Sequence, residues 1–231
     1  MTNQNKISNK IQIAVLALFI VFMPLGSWYY LQSGFDYHEK LMSELKDYGE
    51  LEQFDLVTQD ADTLRKLDLQ GKIMIANFFT EGTPSANTAM DYSRRILGQF
   101  KSQKDLIFLF HSMNSVDAAK LKSIAEKEEL IDKRAYFLSG DEKIMSNLLV
   151  EGYRVPMLEN RTKRDSITFK NDLSSLPKDY PYFVLIDESL KIRNYYDIND
   201  KASMNSLVEH LAIILPREKK SKAELRPKKE K

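Results

Sequence analysis

The stretch Ile73-Met74-Ile75-Ala76-Asn77-Phe78-Phe79 is apolar on both alternations apart from Asn77, and such a run predicts a central strand covered on each face. It breaks at Thr80-Glu81-Gly82-Thr83-Pro84. Thr83 fits a helix N-cap and Pro84 the first helical position, so a helix follows to about Phe100 with Ala86, Met90, Leu97 and Phe100 on one stripe. Leu106 to His111 predicts a second buried strand, parallel to the first across that helix. Ser115 is placed to cap a helix with Ala119, Leu121, Ile124 and Ala125 inward, and Ala135 to Leu138 reads as a third strand. Asp141 then caps a helix burying Ile144, Leu148 and Leu149. Upstream, Phe54 to Thr58 alternates as a half-buried strand. Downstream, Tyr182 to Asp187, the turn Glu188-Ser189 and Leu190 to Tyr196 read as a hairpin. Asp200 caps a last helix with Leu207, Leu211, Ile214 and Leu215 inward, and Pro216 stops it. The pattern is that of an α/β domain.

The amino terminus has a different pattern. Lys6 and Lys10 precede apolar residues from Ile11 onward, and Trp28, Tyr29 and Tyr30 close the run before Leu31. A helix over 11–31 would rise about 30 Å, the thickness of a bilayer's hydrocarbon core. Lysines before it and aromatics after it predict a transmembrane anchor with residues 1–10 cytoplasmic and the rest on the extracytoplasmic side of the inner membrane. No small-residue cleavage site clearer than Leu25-Gly26-Ser27 follows the apolar core, which favours an uncleaved anchor over a signal peptide. Gly34-Phe35-Asp36 is read as the end of the anchor, with Asp36 capping a short stalk helix to Tyr48 within a linker over 32–50. The folded domain then spans 51–215, and 216–231 is a basic tail without core residues, expected to be disordered.

Composition restricts the chemistry. The 231 residues carry a formal net charge of +1, without the overall basic excess usual in nucleic-acid binders. The chain has no cysteine, so it forms no disulfide and offers no thiolate. Its histidines are His38, His111 and His210. Thr83, Ser85 and His111 contain a nucleophile and a base by type, but no G-x-S-x-G elbow frames them, and no phosphate-binding glycine motif occurs anywhere. No catalytic constellation emerges, and no cofactor is expected. Met113, Met145 and Met157 are thioethers without the spacing of a methionine-rich copper motif, and filling of the core or loops is the simpler role. Asp187 and Asp197 are expected to serve turns. The polar stretch from Gly152 to Pro177 holds Arg161, Lys163 and Arg164, a solvated basic cluster or a contact for an acidic partner, and Ser166 to Phe169 reads as half of a hairpin.

Several blocks in order resemble one family. Gly71-Lys72-Ile73 through Ala76-Asn77-Phe78-Phe79-Thr80, then Pro84 and Met90, is similar to the GK-x-x-x-ANFFF-T-x-CPxxCP-x-M stretch of the SCO/SenC family of membrane-anchored copper chaperones. Phe108 to Ser112, Phe137 to Asp141, Phe183 to Asp187 and Ile192 to Asp197 resemble its later strands. The resemblance covers about Leu51 to Leu215 and implies a thioredoxin-like fold, a mixed sheet flanked by helices. It also implies a setting in cytochrome c oxidase assembly or copper homeostasis. The family binds copper through two cysteines and a histidine, and these fall here on Thr83, Asn87 and at or near Asp179. Hydroxyl, amide and carboxylate oxygens do not replace soft thiolates toward copper(I), so the resemblance implies a degenerate member that acts by protein binding. Two alternatives stand beside it: a copper or redox protein using partner-supplied or non-cysteine ligands, and a structural envelope protein. The fold also commonly carries a cis-proline before the strand that Tyr182 begins, which makes Tyr180-Pro181 a candidate, with an ordinary trans bond as the alternative.

Overall fold

The computed structural model describes the backbone of residues 3–155 and 180–216, with side chains from residue 13 onward. The chain divides into two compact units, Met1–Glu44 and Leu45–Lys231. The first is a single helix, α1 (Asn3–Glu44). It is long and apolar enough to cross a membrane, and Ile13, Leu16, Phe19, Phe22, Trp28, Tyr29 and Tyr30 are all exposed on it. The expected break at Gly34-Phe35-Asp36 is absent, and the helix stops before Tyr48. Gly34 keeps helical φ and costs only about 1 kcal/mol in a helix interior. Asp36 caps nothing; its Oδ1 accepts from Gln32 Nε2 at 3.0 Å within the helix.

The second unit is built on a sheet of seven strands in the order β2-β1-β5-β4-β3-β6-β7. They are β1 (Asp55–Thr58), β2 (Thr63–Arg65), β3 (Ile73–Phe79), β4 (Leu106–Ser112), β5 (Ala135–Ser139), β6 (Tyr182–Ile186) and β7 (Ile192–Asp197). The three middle strands β5, β4 and β3 are parallel, and β1, β2, β6 and β7 are added antiparallel at the two sides. Every residue of β3 and β4 is buried, as their unbroken apolar runs require. The helices are α2 (Pro84–Gln99), α3 (Ala118–Lys127), α4 (Glu142–Asn147) and α5 (Lys201–Ile214). One face of the sheet, with Ile75, Phe79, Phe108, Phe110 and Phe137, packs on α2, α3 and α5. The other, with Met74, Phe78, Ile107 and Leu109, packs on α4, the π-helical turn Leu148–Gly152 that follows it, and Leu51, Phe54 and Tyr180.

Two local expectations are corrected, and one short strand is added. Asp117, not Ser115, caps α3, its Oδ1 accepting from Lys120 N at 2.8 Å; a carboxylate is the stronger acceptor at the positive end of the helix dipole. Leu64 belongs to the short strand β2, which pairs with β1 around a turn at Gln59 to Asp62. Ile144 is 52% exposed, because the passage from α4 into a wider turn rotates the buried stripe onto Met145, Leu148 and Leu149. The caps at Thr83, Asp141 and Asp200 stand where expected.

The outer edge of β7 is covered by the segment after α1, with Lys46 N donating to Arg193 O and Tyr48 N to Ile192 O, both at 3.0 Å. Gly49 makes that path possible at φ +102°, with its Cα facing the Arg154 guanidinium, which donates to Tyr48 O. A methyl group there would overlap the guanidinium. Gly49→Ala should therefore lose about 2–3 kcal/mol of unfolding free energy in urea titrations, with Gly98→Ala in α2, where nothing lies within 4 Å of the added carbon, as the neutral or stabilising control.

Candidate functional site

The strand-to-helix turn between β3 and α2 lies at the carboxyl end of a middle strand, where α/β folds place their binding groups. Gly82 takes φ +86° at its tip. Thr83 is fully occupied in shaping it. Its N and Oγ1 both donate to Thr80 O, at 3.2 and 3.0 Å, and Oγ1 accepts from Ala86 N at 3.4 Å. Pro84 follows at the first helical position and is exposed. Asn87 lies one helical turn on, its N donating to Thr83 O at 3.3 Å, and it is exposed to solvent. The Glu81 carboxylate is held by Lys120 of α3, with Nζ at 3.0 and 2.9 Å from its two oxygens. Met113 N closes the neighbouring loop onto Phe79 O at 2.9 Å.

The turn places Thr83 and Asn87 one helical turn apart, while Asp179, Met157, Arg161, Lys163, Arg164 and the stretch Ser166 to Phe169 lie outside the described residues. Tyr180-Pro181 is described, and its peptide bond is trans. Pro181 is buried, and its carbonyl accepts from Ile198 N at 2.9 Å. Asn77, the one polar residue in β3, fixes the same approach to β6: its Nδ2 donates to Tyr182 O at 3.0 Å and to Tyr180 O at 3.4 Å.

The other candidates separate. Ser85 is buried on α2, against one face of the sheet, whereas the His111 ring lies on the opposite face among Phe54, Phe78 and Tyr153. They form no nucleophile and base pair. His38 lies on α1, and His210 Nδ1 is 2.8 Å from Tyr196 Oη. Met145 is wholly buried in the core and Met113 packs partly against it. Asp187 organises its hairpin turn, Oδ1 accepting from Ser189 N and Lys191 N at 2.9 and 3.0 Å and Oδ2 from Arg193 Nη1 at 3.0 Å. Asp197 Oδ1 accepts from Asn199 N at 2.9 Å, again a turn contact. Among the described residues no three histidine or carboxylate side chains converge as a metal site would need.

The pair the sequence did not disclose is His111 with Tyr153, whose Nε2 and Oη are 2.8 Å apart. Burial pushes the His111 imidazole down to about 3 and holds the Tyr153 phenol above its usual range. Nothing local in Gly152-Tyr153-Arg154 signals this contact, since it joins residues 42 apart in sequence.

No protein-family model matches the chain, and no curated protein matches it. Solved structures do. BsSco, a member of the Sco family of cytochrome c oxidase assembly proteins in which a disulfide switch was identified, is 15% identical with a TM-score of 0.55, over 73% of this chain and 95% of its own. A SCO1/SenC family lipoprotein from Bacillus anthracis is 17% identical with a TM-score of 0.55, over 71% of this chain and 94% of its own. ScoI from Bradyrhizobium japonicum, solved with copper bound, is 16% identical with a TM-score of 0.51, over 71% of this chain and 99% of its own. The chain has the thioredoxin-like fold of these Sco structures, a mixed sheet flanked by helices, and carries no cysteine.

Proposed function

We propose that this chain is a degenerate SCO/SenC-type domain, tethered through residues 11–31 to the inner membrane with its domain on the extracytoplasmic side. There it works by binding a protein partner, in cytochrome c oxidase assembly or copper homeostasis, and not by thiol or copper chemistry. The observation that carries this reading is the state of the β3–α2 turn. The residues there do not fit copper(I): the Thr83 hydroxyl is committed to Thr80 O and Ala86 N, Asn87 offers a carboxamide, and no thiolate exists in the chain. Thiol–disulfide exchange requires an attacking thiolate and has none here. A scaffold that keeps the strand, the turn and the capped helix without soft donors is suited to recognition, since its fold needs none of the lost groups. The setting in oxidase assembly rests on the likeness to Sco structures, and the sidedness on Lys6 and Lys10 before the apolar helix and Trp28, Tyr29 and Tyr30 after it.

Titration of the full chain in detergent with copper(I), against a competing chelator, tests this directly. The expected result is that the chelator keeps the metal. Retention of one copper(I) per chain would overturn the reading and support ligands supplied from elsewhere in the protein. In vivo crosslinking from a photoreactive residue at Asn87 supplies the positive arm, with one dominant envelope protein expected and diffuse products counting against a binding role.

A further inference from the structure

His111 stands in β4, the middle strand of the sheet, and is paired on both sides, with Phe78 of β3 and Leu138 of β5. Its ring stacks on Phe78 at 4.6 Å, meets Phe54 edge-on at 6.2 Å, and lies 5.0 Å from Tyr153. Tyr153 Oη is its hydrogen-bond partner at Nε2, and Nδ1 has none among the described residues. The three elements packed against the ring present two phenylalanines and one neutral phenol. Burial is the whole cause of its depressed basicity, with no carboxylate or cation among the described residues acting on it.

The two partners are held unequally. His111 cannot move without parting the central strands. Tyr153 instead follows the π-helical turn Leu148–Gly152 and precedes Arg154, whose φ of +50° is left-handed backbone that side chains disfavour. Among the described residues its segment is tied by Tyr153 N to Leu148 O at 2.7 Å, Val155 N to Leu149 O at 3.1 Å, Tyr195 Oη to Tyr153 O at 3.0 Å and the Arg154 guanidinium to Tyr48 O. Were this irregular turn to open, Tyr153 would leave and water would reach a stationary imidazole.

We propose that the Tyr153–His111 contact is an acid-sensitive catch, whose protonation at His111 releases the segment Leu148–Val155 while the sheet stays intact. Protonation makes both ring nitrogens donors, and no described residue of the closed pocket accepts from Nδ1. The imidazolium is therefore stable only when the segment is open and water reaches it. Burial holds the closed-state value at about 3, against an ordinary value of 6.5. With the folded value depressed, the catch is fully closed above the ordinary value and is lost as pH falls below it, the opening constant rising about tenfold per unit. The inference is independent of the copper reading, since it uses no residue of the β3–α2 turn.

Hydrogen exchange of the full chain in detergent, read by mass spectrometry and corrected for intrinsic rates, tests it, with the amides of Tyr153 and Val155 as reporters. Between about pH 6.5 and about pH 4.5 the opening of Leu148–Val155 should rise about 50-fold while β4 stays protected. His111→Gln, which does not titrate, should flatten that rise. A rise that persists in His111→Gln, or β4 opening in step with the segment, overturns the proposal. Should His111→Gln fail to fold, Tyr153→Phe decides. It removes the hydrogen bond and keeps the imidazole, so opening at about pH 7 should already be about tenfold greater with the acid rise retained, and neutral opening equal to wild type overturns the catch.

Discussion

Replacing Arg134 with alanine is expected to lower the unfolding free energy by about 3 kcal/mol, a large loss for a residue outside the hydrophobic core. The guanidinium closes the carboxyl end of α2 from below. Nη1 donates to Phe100 O at 2.7 Å and Gln103 O at 3.4 Å, and Nη2 to Leu97 O at 3.1 Å. The same group reaches Asp132 through Nε at 3.1 Å and Nη2 at 2.7 Å, binding the helix end to the loop that feeds β5. With the side chain 13% exposed, truncation takes the guanidinium donor from Leu97 O and Gln103 O, while Phe100 O keeps the Gln103 N–H at 3.0 Å, and it leaves a void that water fills poorly. Asp132 remains one-third exposed and keeps part of its hydration, which limits its share of the loss. Its carboxyl is held below the usual range chiefly by the hydrogen bond from Arg134. That contribution is present above the carboxylate's unfolded value and fades as pH falls through the folded one, so wild type and variant should converge in acid. Urea unfolding followed by circular dichroism measures the difference. Arg134→Lys should recover less than half of it, because an ammonium cannot fork between a helix end and a carboxylate. A change within about 0.5 kcal/mol for the alanine variant would show that the network is exchangeable with water.

Arg134 also marks the limit of what the residue pattern discloses. Strands β3 and β4 and helices α2 and α5 were legible because long apolar runs and stripes, with caps at Thr83 and Asp200, all point to the same elements. The turn roles of Asp187 and Asp197 were legible for the same local reason. Contacts between distant residues were not. Arg134 to Leu97, His111 to Tyr153 and Asn77 to Tyr180 and Tyr182 are set by sheet order, and nothing periodic announces them. The antiparallel entry of β1 beside β5 was equally hidden, since β1 and β2 are too short to show their pairing. Where local rules failed outright, two signals competed. Gly34 suggested a helix end, but a single glycine costs a long helix little, and α1 continues. Ile144 fits a helical stripe, but α4 is too short to keep its phase before the turn widens.

The β3–α2 turn combines both cases: its shape was legible, whereas the proposal that it lost copper ligands rests on resemblance, so a gain of function is the stronger test. Cysteine at both Thr83 and Asn87 is expected to take the full chain from no retained copper(I) to about one per chain against the same chelator, with either single variant holding far less. The two positions are one helical turn apart, which puts their side chains about 5–6 Å apart on one face and allows two thiolates to close on one ion. Thr83 is half-buried and Asn87 exposed, so the ion has an approach from solvent. The helix amino terminus favours both thiolates over thiols. The substitution at Thr83 also removes the acceptor for Ala86 N, so the double variant should be about 1 kcal/mol less stable than wild type without metal and regain stability with it. Copper uptake with that signature would mean that the scaffold kept its geometry and changed only its donors, as the proposed function requires. A double variant that folds, shows both thiols free to a titrant and still holds no copper would mean that the turn itself has diverged, and the relation to Sco proteins would then be one of sheet topology alone.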